Sequence, residues 1–301
     1  MRRTAASLLF LALFLAGCGG GGSKKPGAGT LDALLSQPGP DIALVQGTSD
    51  YAVGELRVTF LVIDSQARLI QRPRARVLVG TSLDSKPVVA TVARLEPIGI
   101  PGKSEAAAGG ARAIYVARFR LDKPGKYTLV AEPNGAAIQG IANLEVDRRP
   151  SAPAVGDRAI PSRTPTLEST NGDVAALTTA SPPDLSLLRY SVRDSIRAHI
   201  PFVLVFATPK FCESRTCGPA VDVVKAVQRR FAGRNLRFIH VEIYKDNDPS
   251  QGKNRWVAEW RLPSEPWVFL VGADGRIKGR FEASVSYGEL VSAVRAMLLH
   301  G

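Results

Sequence analysis

The chain has 301 residues, 45% of them hydrophobic and 22% charged, a globular composition on a length that exceeds what one core usually organises, so two domains are expected. Its formal charge of +12 suits anionic lipid or wall polymer nearby. No Lys/Arg block interleaved with aromatics occurs, which argues against nucleic acid as a partner.

At the N-terminus Arg2 and Arg3 precede an apolar stretch from Ala5 to Leu15, too short for a bilayer, which takes about 20 helical residues. This order reads as a secretory signal over residues 1–17. Its close, Leu15-Ala16-Gly17-Cys18, resembles the lipobox of bacterial lipoproteins. That resemblance implies that Cys18 is acylated and anchors the mature chain to a membrane of the cell envelope, facing outside the cytoplasm; an ordinary signal with an incidental cysteine is the alternative. With Cys18 lipidated, the other two of the three cysteines form a natural pair, in a compartment where disulfides persist. The run Gly19 to Gly22, followed by Ser23, Lys24, Lys25 and Pro26, marks a flexible tether over residues 18–40.

Residues 41–147 are read as the first domain, and from Tyr51 to Val146 their hydrophobicity has period two. Leu56, Val58, Phe60 and Val62 line one face of a strand, and Tyr115, Ala117, Phe119 and Leu121 line one face of another. Further apolar runs at Arg76 to Val79, Val88 to Leu95, Tyr127 to Ala131 and Ile138 to Val146, separated by turn residues, predict an all-β sandwich. The segment from Phe119 through Lys123-Pro-Gly-Lys-Tyr127 is similar to the corner before a late strand in immunoglobulin-like sandwiches, where a tyrosine bonds back to the backbone. The cysteine pair of antibody domains is missing, so the likeness is to such sandwiches in general. Pro101 to Arg112, rich in Gly and Ala, reads as a mobile inserted loop.

A proline-rich linker follows over residues 148–184, within which Val155 to Pro161 is similar to the lead-in of redoxin domains, so the second domain begins near 155 or at 185. Beyond it the periodicity alternates. A helix (Ser191 to His199), a strand (Phe202 to Phe206), a cysteine loop, a helix from Gly218 to Phe231, and a strand (Leu236 to Tyr244) are predicted. They precede a helix near Asn254 to Trp260, two strands (Trp267 to Val271 and Arg276 to Phe281) and a closing helix (Tyr287 to Leu299). Gly272-Ala-Asp-Gly275 signals a hairpin turn.

The chemistry centres on Cys212 and Cys217, four residues apart between strand and helix. A thiol at a helix start meets unpaired N–H groups and the positive dipole end, which lower its pKa and supply the thiolate nucleophile. Pro219 suits the first helical turn. Val224, Val227 and Phe231 form the predicted buried stripe.

This order, with Phe206-Ala leading to Cys212 and Trp260-Arg-Leu-Pro-Ser-Glu-Pro266-Trp leading to a strand, resembles the thioredoxin superfamily over residues 155–300. The resemblance implies an α/β thioredoxin-like fold and a cis Pro266 facing the thiols. It further implies thiol-disulfide exchange, without a cofactor or metal, with exported proteins or a membrane redox partner. Which sulfur attacks stays open, because Cys217-Gly-Pro219-Ala220 also matches the family's Cys-Gly-Pro-Cys with its second cysteine replaced; Cys212 is favoured by its position after the strand. The family spaces its cysteines more closely, and where it places a buried aspartate this chain has Val205, leaving the second thiol without a proton acceptor.

Three rivals stay open. A binding or scaffold lipoprotein would use the pair as a static disulfide. A peroxidase would need threonine where Pro209 stands. Cu(I) delivery for oxidase assembly would exploit two thiolates and a distant histidine, but His199, His240 and His300 read as packing or solvated residues. Trp256, Trp260 and Trp267 form either core or a substrate platform, and Glu242 is read as a surface carboxylate with proton shuttling as the alternative.

Overall fold

The computed structural model describes residues 27–35, 42–133 and 140–300. Cys18, the predicted signal and the glycine run behind it lie outside the described residues. Among those described, no helix is long and apolar enough to cross a membrane.

Within the stretch read as a tether, α1 (Leu31–Leu35) buries Leu31 against Leu78 and Val130. The strands that follow are β1 (Ile42–Gln46), β2 (Tyr51–Ala52), β3 (Gly54–Asp64), β4 (Arg74–Gly80), β5 (Val89–Pro97), β6 (Ala113–Leu121), β7 (Gly125–Pro133) and β8 (Gly140–Asp147). They form one sheet in the order β1-β3-β6-β5-β4-β7-β8-β2, antiparallel except where β2 runs parallel to β8. Only Val53 separates β2 from β3, so one length of chain pairs first with β8 and then with β6. The ladder comes back to its start and the sheet wraps a single core. Where the sequence predicts two packed sheets, the described residues hold one continuous sheet. Its core takes the predicted alternating residues of β3 and β6 together with Val77, Val79, Leu129 and Leu144, and Phe60 stacks on its cross-strand partner Tyr115 at 5.4 Å. The Tyr127 hydroxyl donates to the Lys123 carbonyl at 2.9 Å, the corner bond the sequence predicts.

The second sheet is mixed. Its elements are α2 (Val192–Arg197), β9 (Phe202–Phe206), α3 (Cys217–Arg230), β10 (Arg237–Val241), α4 (Arg255–Glu259), β11 (Trp267–Val271), β12 (Ile277–Glu282) and α5 (Tyr287–His300). The strand order is β10-β9-β11-β12, with β10 parallel to β9 and the β9–β11 and β11–β12 pairs antiparallel. That is the order a thioredoxin-like fold requires. Every residue of β9 is buried because both faces are covered. Val203, Val205, Val268 and Leu270 meet α3 and α5 on one face, while Phe202, Leu204, Phe206 and Phe269 meet Val192, Val257 and Trp260 on the other. β10 ends earlier than predicted because the carbonyls of Glu242 and Ile243 are taken by Asn254 instead of a neighbouring strand. Residues 148–184 hold no named strand or helix, yet Ala152, Ala159 and Leu177 are buried, and Gly156 and Asp157 exchange backbone bonds with Ile277 on β12.

Buried carboxylates join the two sheets. Glu289, in the first turn of α5, receives Arg57 of β3 through two bonds of 2.8 and 2.9 Å and Arg118 of β6 at 2.5 Å. Glu282 accepts from the backbone N–H groups of Ser49 and Asp50, both at 2.9 Å, and Asp50 pairs with Arg280 at 2.6 Å. The loop read as mobile is also engaged. Ser104 donates to Asp222 on α3 at 2.8 Å, and Ile100 packs on the cluster that contains both thiols. Gly99 has φ +71, and a Cβ there would lie 2.5 Å from Ser104 Cβ and 2.9 Å from Pro219 Cβ, so glycine permits this close approach.

Burial pushes the Glu289 carboxyl up, but the Arg57 guanidinium, helped by Arg118, holds it below its ordinary 4.5. A depressed carboxylate contributes stability that is present above the unfolded pKa and is lost as pH falls through the folded one. Glu289→Ala leaves Arg57 buried without its carboxylate partner, so urea denaturation should show a loss of about 3–5 kcal/mol at neutral pH, shrinking as acid takes the parent's carboxyl from its ordinary range down through its depressed folded value. The Arg57→Ala, Glu289→Ala double variant should lose less than the sum of the two single losses.

Candidate functional site

β9 delivers the chain to the thiols. After Phe206 the Ala207 N–H bonds the Val241 carbonyl of the neighbouring strand at 3.0 Å, and the chain then leaves the sheet through Thr208 to Phe211. Cys212 follows, and the loop turns back when the Arg215 N–H donates to the Cys212 carbonyl at 3.0 Å. Arg215 takes φ 54 to make that turn. α3 begins at Cys217 itself, one residue earlier than predicted, with Thr216 at its N-cap and no side-chain cap on the first turn. Its free N–H groups are thereby left for another acceptor.

That acceptor is Cys212. Both cysteines are free thiols; Cys212 is 7% exposed and Cys217 fully buried. The Cys217 thiol donates to the Cys212 sulfur, and this bond is the largest cause of a Cys212 pKa lowered to about 6. Burial opposes the shift, while Ser214 and the backbone N–H groups of Cys217 and Thr216 add to it. The Ser214 hydroxyl lies 3.3 Å from Cys212 Sγ and 2.7 Å from the Thr216 hydroxyl. Cys217 moves the other way: burial pushes its thiol up, and the hydrogen bond and charge of Cys212 reinforce this. At neutral pH the pair is therefore one thiolate and one thiol.

Pro266 is buried, its peptide bond to Glu265 is cis, and its carbonyl is taken by the Ala283 N–H at 2.9 Å. Because Trp267 pairs with Phe206, the last residue of β9, the residues just before β11 lie beside the thiol loop. Glu265, which the sequence reading did not select, has a carboxylate oxygen within 4.8 Å of both sulfurs. Burial and then the charge of Cys212 push its carboxyl up to about 7. An acidic residue directly before the predicted cis proline was the available signal.

Other expectations move away from the site. Trp260 and Trp267 are fully buried on the opposite face of the sheet from the thiols, with Trp256 partly buried beside them, so they build core and no platform. Glu242 is buried, not at the surface, and accepts from the Thr179 N–H at 2.5 Å and hydroxyl at 2.7 Å. His240 sits between Thr178 and the Ala207 carbonyl, and His199 faces the Ala273 carbonyl. The histidine that the copper reading requires is thus not supplied by either, and the three clustered donors Cys212, Cys217 and Glu265 include no imidazole.

No family model matches the chain, and no curated protein matches it. Among solved structures it aligns with a thiol:disulfide interchange protein, a thioredoxin family protein from Chlorobium tepidum TLS. That alignment covers 49% of this chain and 97% of the other, at 14% identity and a TM-score of 0.31. A likeness this weak bears no weight. The strand order and the thiol geometry stand without it.

Only thiolate reacts with alkylating agents, so iodoacetamide modification of Cys212 should rise with pH to a plateau, half-maximal near the pKa of about 6. Cys217→Ala removes the largest cause of that shift and should move the midpoint toward the ordinary thiol value of about 8.5. An unmoved midpoint would assign the effect to the helix start alone.

Proposed function

We propose that this chain is a membrane-anchored thioredoxin-like protein of the cell envelope that exchanges dithiol and disulfide with exported proteins or a membrane redox partner. One observation carries the reading: a thiolate at Cys212, held there by the Cys217 thiol and the start of α3. A low-pKa sulfur beside a protonated one is what exchange requires, since the first must attack and the second must wait. Cys212 is the attacking sulfur, being the more exposed and the more acidic, and Cys217 resolves. The sulfurs themselves carry the electrons, so no cofactor is needed.

Anchoring and location rest on residues 1–18 of the sequence, with Cys18 as the lipidated residue. An immunoglobulin-like character for the N-terminal unit, taken as residues 41–147, is supported by the Tyr127 corner, while its single continuous sheet departs from a two-sheet sandwich. In this reading that sheet holds the thiol unit away from the membrane or docks the partner.

Burial of Cys217 favours a second reading, a static bridge in a scaffold lipoprotein. The reduction potential against glutathione separates the two: a value below about −300 mV marks a structural bridge, and a value near the poise of an oxidising compartment marks exchange. A Cys217→Ser chain should in addition retain glutathione as a stable mixed disulfide on Cys212, which the parent releases. Failure to form that adduct, together with a strongly reducing potential, would leave the static bridge.

A further inference from the structure

Exchange requires Cys217 to give up its proton, and the sheet beneath it offers no acceptor: Val205 packs in the same apolar cluster as both thiols. A carboxylate reaches the pair from a different element. Glu265 stands two residues before β11, directly ahead of Pro266, is half-buried, and brings an oxygen within 4.8 Å of both sulfurs. Unlike Glu242, Glu282 and Glu289, its carboxylate takes no hydrogen bond from the protein among the described residues. We propose that Glu265 is the proton acceptor for Cys217 in the second step of exchange, an assignment that rests on the exchange reading above.

In the first step the Cys212 thiolate attacks one sulfur of a target disulfide. A Cys212–target bond forms, the target's own S–S bond breaks, and its other sulfur leaves as a thiolate. In the second step the Cys217 thiol passes its proton to Glu265 and the resulting thiolate attacks Cys212 Sγ. The Cys212–Cys217 bond forms, the Cys212–target bond breaks, and the departing sulfur takes the proton from Glu265. The pair has been oxidised by two electrons, the target disulfide has become one thiol and one thiolate, and Glu265 has returned to its starting state. Running backwards, the same path oxidises a target dithiol.

The surroundings of Glu265 suit the timing. Burial and the Cys212 thiolate raise its pKa to about 7; Glu213 and Glu242 push the same way and Lys253 opposes them. Tyr244 and Cys217 are the other titratable groups facing it. When a target caps Cys212 its negative charge disappears, so the carboxyl ionises more readily at the step that needs a base. Capping also removes the Cys212 charge that pushes the Cys217 thiol up, so donor and acceptor approach one another in acidity.

The reduced full chain can be mixed with 5,5′-dithiobis(2-nitrobenzoate), whose first released thiolate reports attack by Cys212 and whose second reports displacement by Cys217. The parent's second phase should rise with pH through an inflection at or below about 7. In Glu265→Gln that phase should slow by at least about tenfold and lose the inflection, while the first phase changes by less than about threefold. Glu265→Asp should recover part of the rate and a shifted inflection. A Gln variant with the parent's second-phase rate and pH profile overturns the proposal. Circular dichroism checks folding, and if the Gln variant does not fold, an unshifted inflection in the Asp variant overturns it equally. A parent chain that releases no second thiolate overturns the exchange reading instead.

Discussion

Two sulfurs share one proton, and the rest of the second sheet is arranged around that fact. The Cys217 thiol can donate to Cys212 only because α3 starts at Cys217 and the intervening loop folds back at Arg215. The loop has a fixed origin because β9 is buried on both faces and paired on both edges. Burial alone would raise both thiols. It is the hydrogen bond between them, joined by backbone N–H groups that no side chain caps, that splits their acidities in opposite directions. A scaffold that let the loop drift would lose the bond first and the thiolate with it.

The junction between the sheets follows a related logic at larger scale. Glu282, Glu289 and Asp50 are carboxylates withdrawn from water, and each is met by guanidinium or backbone N–H groups from across the junction or beside it. Ion pairs of this kind contribute little net attraction once desolvation is counted, but they penalise every arrangement in which a partner is missing. The result is a relative placement of the two sheets that tolerates few alternatives.

Much of this was legible in the chain. The alternation of Leu56 to Val62 and Tyr115 to Leu121 identified inward faces, because a strand's side chains can only alternate; the all-apolar run Phe202 to Phe206 identified a strand covered on both sides. Cys212 and Cys217 were visible through their place between strand and helix, and Pro266 through its place before a strand. What escaped were features made by distance in sequence. Glu265 adjoins Cys212 because β11 pairs with β9, a register no local pattern encodes. Glu242 looked superficial because its place near the end of the predicted strand Leu236 to Tyr244 says nothing of Thr179 folding over it. The Gly- and Ala-rich stretch from Pro101 to Arg112 carries a loop composition, yet Ser104 and Ala108 fix it through bonds to Asp222 and Ser214, residues more than a hundred positions away. The closing of the N-terminal strands into one sheet hinges on Val53, a single residue between β2 and β3.

The bond from the Ala108 N–H to the Ser214 carbonyl, at 3.0 Å, falls midway between the two cysteines. Ile100, at the edge of the same inserted loop, packs on the cluster that holds both thiols. In the thiol loop Phe211 meets Tyr244 edge to face at 6.4 Å, and Glu265 brings a carboxylate oxygen within 4.8 Å of both sulfurs. The thiol loop is therefore tethered at Ser214 to the N-terminal unit, so a disturbance that unfolds that unit also releases one anchor of the segment between the two cysteines.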